Sequence, residues 1–289
     1  MTSTADHAPP APGQTTGAEG IWLYGIVADV PADALAGVAG VGGHQPWTIP
    51  VAGLAAVVGH VPLAEYGQEP LRRNLEDLDW LERTARAHHA VIDVLHRAGP
   101  VLPAALATLY FDATGIVRLL TERRGDLTAA LDRVTGHVEW GVKGYTTHHP
   151  AAASPAVEPD SGTPAAGPGA AYLARRRAQL TARTEARHAV EEDAAAIHAG
   201  LAGLSADARR HPAQDRRLTG TDAEMVLNGA YLVAADREEE FGELVVALER
   251  RHPTVRLERT GPWPPYSFVG DTPALRGTTP SSPAAESAP

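Results

Sequence analysis

Cysteine is absent from this 289-residue chain. That excludes disulfides, iron–sulfur clusters and thiol chemistry, and it leaves the redox compartment open. Aromatic residues are scarce at 5%, so the few present must carry much of the specific packing. Lysine occurs only at Lys143, among 25 basic residues. No apolar run approaches the roughly eighteen residues that a membrane span needs. Met1 to Gly20 lacks an apolar h-region and a basic start, so no secretory signal is expected. With a formal charge of −10, the chain also lacks the basic footprint of a general nucleic-acid binder. No GxxxxGKS/T phosphate loop, GxGxxG after a strand, HExxH or GxSxG occurs. These absences lead to the expectation of a soluble, cytoplasmic protein with no cofactor, metal or catalytic residue of its own.

What is present reads as α+β. Ile21 to Val27 alternates Trp22, Tyr24 and Ile26 against Leu23, Gly25 and Val27, the period of a strand. Pro31 to Ala36 reads as one helical turn, and Pro46–Val51 and Leu54–Val61 as a hairpin turning at Ala52-Gly53. A long helix is expected over Leu71–Ala98, with Leu78, Leu81, Ala85, His88, Ile92 and Leu95 along one face. Val101 to Phe111 is ambiguous between strand and buried coil. Ile116 to Leu131 reads as helical with a break at Gly125. In the second half the order is strand (137–145), alanine-rich helix (171–204), strand (225–234), helix (237–252) and strand (255–260), with 205–220 an irregular connector. Asp236 is expected to cap the last helix, whose apolar stripe is Phe241, Leu244, Val245 and Leu248. The expected organisation is two domains, each a small sheet with helices packed on it: an N-terminal α+β domain over 20–134 and a C-terminal, ferredoxin-like one over 135–269. A flexible insertion at 147–170 and disordered tails at 1–19 and 270–289 complete it.

Candidate sites are few. His89, Asp93 and His96 share one side of the long helix at i, i+4, i+7. The residue types suit zinc, and the alternative is a polar helix flank. His88, inside the apolar stripe, reads as a hydrogen-bonded core histidine. Lys143 lies in a strand beside Glu139, where a cross-strand ion pair is expected. Arg175-Arg176-Arg177 is either a solvated helix face or a contact patch for an acidic partner. The segment Gly261-Pro262-Trp263-Pro264-Pro265-Tyr266-Ser267-Phe268 holds three aromatics in eight residues. It is either a strap whose Trp263 and Phe268 pack on the sheet, or a rigid aromatic edge with Trp263, Tyr266 and Phe268 docking an apolar partner.

Four segments in order carry a family resemblance. They are Ile21-Trp22-Leu23-Tyr24-Gly25-Ile26-Val27; Val101-Leu102-Pro103 through Thr108-Leu109-Tyr110; Glu139-Trp140-Gly141-Val142-Lys143; and Asn228-Gly229-Ala230-Tyr231-Leu232-Val233 with Gly261–Phe268. Together they resemble the gas vesicle GvpL/GvpF family. Ala104-Ala105 stands where the family pattern often has an arginine, so any ionic role of that position is absent or relocated. The resemblance implies a non-catalytic accessory protein of gas vesicle assembly with two α+β domains. It also implies contacts with the apolar shell protein and other accessory proteins. Two rival readings stay open: a metal-dependent enzyme built on His89, Asp93 and His96, and a general protein-binding scaffold.

Overall fold

The structure is a computed structural model and describes residues 18–31, 33–147, 168–213, 223–269 and 275. The expected tails (1–19 and 270–289) and insertion (147–170) fall largely outside these residues. Contacts divide the chain into two compact units, one of residues 1–98, 104–124 and 273–289, the other of 99–103 and 125–272.

In the first unit, β1 (Glu19–Val27) pairs antiparallel with β3 (Leu54–Pro62), which pairs antiparallel with β2 (Trp47–Val51). The β2–β3 turn is the two-residue hairpin expected, with φ of 51° at Ala52 and 84° at Gly53, the positive values that such a turn demands. Three helices follow, α1 (Leu63–Tyr66), α2 (Gln68–Asn74) and α3 (Leu78–Ala98); the next element in the chain, the short strand β4 (Val101–Pro103), belongs by its contacts to the second unit. The ambiguous stretch closes with β5 (Leu109–Tyr110), which pairs with β1, and α4 (Ala113–Glu122) completes the helices of this unit, while α5 (Arg124–Val134) falls in the second from Gly125 on.

The single helix expected over 71–98 is therefore split. Asp77 Oδ1 accepts from the backbone N–H of Asp79 and Trp80, which caps α3 and ends continuity with α2. The inner face of α3 is also rotated from the one expected: Trp80, Thr84, His88, Val91, Ile92 and Leu95 are buried, while Leu78 is 77% exposed. The break between α4 and α5 falls at Arg123, not at Gly125.

At the centre of this unit the indole N–H of Trp22 donates to His88 Nδ1 at 2.9 Å. That bond leaves the ring proton on Nε2, 3.1 Å from the Ala104 carbonyl. Tyr24 stacks on the same imidazole at 5.6 Å, and its hydroxyl accepts from Val41 N–H at 2.7 Å. The core histidine expected at His88 is thus fully satisfied.

The second unit contains β6 (His137–Thr146), α6 (Pro168–Leu204), β7 (Asp207–Arg210), β8 (Met225–Ala234), α7 (Glu238–Arg251) and β9 (Val255–Trp263). The sheet order is β7-β8-β6-β9 and every pair is antiparallel. This βαββαβ arrangement is the ferredoxin-like one. Its β7 lies in the stretch read as irregular connector. Trp140, Val142, Leu227, Tyr231 and Val233 from the sheet meet Ile197 and Leu201 of α6 and Phe241, Val245 and Leu248 of α7. Each large apolar side chain buried this way contributes about 1.5–3 kcal/mol. Asp236 does not cap α7: it sits within a 3-10 turn, Ala235–Arg237, that runs straight into the helix. The two helices run antiparallel. Asp193 of α6 accepts from His252 Nδ1–H at 2.7 Å and from the Thr254 hydroxyl at 2.6 Å, beyond the end of α7, and Gly200 faces Leu248.

Candidate functional site

β9 is an edge strand of the second sheet. Its period of two buries Val255 and Leu257 and turns Arg256 and Glu258 outward. Arg256 ion-pairs with Glu258 at 2.6 Å and covers the Tyr145 ring, while Arg259 lies 4.3 Å over Trp140. Such charges blunt an open edge against indiscriminate pairing. Beyond Thr260 the pairing with β6 shifts register and resumes at Glu139 opposite Trp263. The proline-rich ending therefore begins as sheet, and Pro262 is accommodated because an edge strand needs ladder donors on one side only.

After Trp263 the chain leaves the ladder and is pinned by a single carboxylate. Glu139 accepts from the backbone N–H and the hydroxyl of Ser267, both at 2.7 Å. His211 Nε2 stands 3.2 Å from the same hydroxyl. Burial pushes the Glu139 carboxyl above the usual glutamate range, against the opposing pull of the Ser267 bonds and the nearby Arg209 charge. A buried carboxylate with two short donors serves here as a latch.

The latch sorts the three aromatics singled out in the sequence. Phe268 is fully buried, with the Arg209 guanidinium 5.7 Å from its ring centroid; it is packing and offers no docking face. Tyr266 is half-buried. Trp263 is 42% exposed, at the outer end of the edge strand. Glu139 and Ser267 are the pair that sequence reasoning missed, because 128 residues separate them.

The profile of the gas vesicle synthesis protein GvpL/GvpF family matches residues 20–270. The chain belongs to this family. It is 38% identical over 249 residues to gas vesicle protein L of Streptomyces sp. (strain CB03234), covering 86% of this chain and 92% of that protein. It is 25% identical to gas vesicle protein F2 of Halobacterium salinarum, covering 86% and 91%. In fold it is similar to the crystal structure of GvpF from Anabaena sp. PCC7120, with a TM-score of 0.59 at 16% identity over 88% of this chain and 97% of that one. The GvpF structure from Microcystis aeruginosa is similar too, with a TM-score of 0.58 at 17% identity over 86% and 98%. Two α+β domains with small antiparallel sheets are thus the family's architecture.

Ala104 and Ala105 act through their backbone. Ala104 N–H donates to the Tyr24 carbonyl at 2.8 Å and its carbonyl accepts from His88, while Ala105 N–H donates to the Leu275 carbonyl at 2.8 Å. The helix flank proposed for metal reads differently in three dimensions. His89 pairs with Asp93 at 3.4 Å, Asp93 also faces Arg97 at 3.9 Å, and burial lowers the His96 pKa. Among the described residues no three His, Asp or Glu side chains are grouped to hold a metal ion. Lys143 stands opposite Glu258 in the β6–β9 register, while Glu139 is committed to Ser267. Arg175–Arg177 lie on an exposed stretch of α6. Among the described residues no helix is long and apolar enough to cross a membrane.

Proposed function

We propose that this gas vesicle accessory protein works in the cytoplasm without catalysis. It would cover apolar surface of the shell protein before assembly, hand the subunit to a growing vesicle and contact other accessory proteins there. An unassembled shell subunit exposes apolar surface and strand edges, both of which drive aggregation. The observation that carries the reading is Trp263: a large aromatic, 42% exposed, at the end of an open edge strand and held in place by the Glu139–Ser267 latch. A partner strand adding to β9 gains main-chain hydrogen bonds, and Trp263 supplies an apolar anchor beside them.

The test is capture of purified shell protein by wild type and by Trp263→Ala and Tyr266→Ala, alone and together. Phe268 is left intact, because removing a buried phenylalanine costs about 3–5 kcal/mol and would confuse unfolding with lost binding. Capture is expected to fall roughly tenfold or more with Trp263→Ala, the loss of a hot-spot side chain. Circular dichroism and the melting temperature should stay unchanged. Undiminished capture by the folded double variant removes this face from the binding reaction.

A further inference from the structure

The helix α6 is 37 residues long, about 55 Å at 1.5 Å per residue, yet only its C-terminal part packs on the sheet. Every residue from 172 to 189 is exposed, and burial begins at Val190. This arm presents Tyr172, Leu173 and Leu180 to solvent at 64%, 57% and 49% exposure. A helical segment of this length is marginal in water unless something packs against it. The arm also concentrates charge, with five arginines against one glutamate between Tyr172 and Ala189, in a chain whose net charge is −10. An acidic surface with an apolar notch is the complement of such a helix.

The same unit carries one. A groove of about 670 Å³ runs along α7, with Glu238, Glu239 and Glu243 at one end and Val246 and Ala247 beside them, Val246 being 46% exposed. Of the two arginines lining it, Arg259 is held over Trp140, and Arg250 lies at the far end of α7. The glutamates therefore set the sign of the near end.

A chain cannot fill this groove with its own arm. Because α6 and α7 run antiparallel, the arm leaves the sheet at the end where α7 finishes, beside His252. The glutamates stand at the start of α7, about 20 Å away along a 14-residue helix, and the rigid arm points away from them. Nor do two arms pair with each other, since both are basic. We propose that two copies of this chain exchange arms, the α6 arm of each lying in the α7 groove of its partner in a reciprocal, two-fold arrangement.

Sedimentation velocity and light scattering on the full chain test this with a charge swap. Wild type is expected to run as a dimer at low ionic strength. Arg176→Glu with Arg183→Glu reverses the arm, Glu239→Arg with Glu243→Arg reverses the groove, and each double variant is expected at half the wild-type mass. Mixed in equal amounts, the two restore complementary charge at both contacts and are expected to form a heterodimer at the full mass. All four positions are exposed, so far-ultraviolet circular dichroism and the melting temperature should match wild type and exclude misfolding. A wild-type monomer, a dimer indifferent to either reversal, or a mixture that stays monomeric overturns the proposal. A monomer whose arm instead captures a different acidic protein overturns it equally.

Discussion

His88 is the residue whose chemistry is most constrained. Burial lowers its pKa from the ordinary 6.5 to about 4, and the bond to the Ala104 carbonyl offsets this only in part. The unfolded chain therefore takes up a proton that the folded one excludes. The sign follows directly: stability is intact above about pH 6.5 and is lost as the pH falls toward 4, by roughly 2–3 kcal/mol between pH 7 and pH 4.5. Glu139 works the other way, because its folded pKa is raised and acidification relieves its cost. Asp193, lowered chiefly by the Thr254 bond and then by His252, keeps its contribution until the pH falls below the ordinary carboxylate range. Comparing wild type with His88→Gln isolates the histidine, since glutamine can still accept from Trp22 and donate to Ala104. Urea unfolding at pH 7 and pH 4.5 is expected to show a loss larger in wild type by about that amount; equal losses would assign the pH dependence elsewhere. His88 was legible in the sequence because it falls inside an apolar period. The Glu139 latch was not, since a carboxylate in a strand gives no sign of a serine 128 residues away. The burial of Phe268 and exposure of Trp263 were hidden for a related reason: prolines remove the alternation from which faces are read.

Among the elements, those with a strong apolar period were legible: β1, the β2–β3 hairpin, α7 and β8. The failures have local physical causes. β7 is Asp-Ala-Arg-Arg, an edge strand held by its ladder to β8 and not by an apolar face, so no hydrophobic alternation marks it. The α2–α3 break rests on Asp77, an N-cap hidden between two leucines. The inner face of α3 uses Thr84, a polar residue that an apolar count passes over in favour of Leu78. The helix α6 combines both situations, and substitutions along it should separate accordingly. Ile197→Ala and Leu201→Ala remove fully buried side chains and are expected to cost about 2–5 kcal/mol each. Leu173→Ala and Leu180→Ala, on the exposed arm, should change stability by no more than about 0.5 kcal/mol. Chemical denaturation in dilute solution measures both. A large cost at Leu173 or Leu180 would mean that the arm packs within its own chain.

At the scale of the whole molecule, two contacts of different physical kind are being asked of one chain. Capture of an apolar partner at Trp263 draws on dehydration of an aromatic and on strand pairing, neither of which needs long-range charge. Exchange of α6 arms draws on arginines meeting glutamates on exposed helices, where attraction is screened over the Debye length. That length is about 8 Å at 0.15 M salt and about 3 Å at 1 M, while hydrophobic burial is not weakened by screening. Raising sodium chloride over that range is therefore expected to dissociate the dimer, with the sedimenting mass falling by half, while the fraction of shell protein captured through Trp263 stays level or rises. The two readouts belong in the same buffers, on wild type and on the arm-reversed variant. The variant should already be monomeric at the lower salt and should capture as well as wild type at both. If capture and dimerisation decline together with salt, the arm and the aromatic edge form a single binding surface. The separation of roles between the outer end of β9 and the arm of α6 is then wrong.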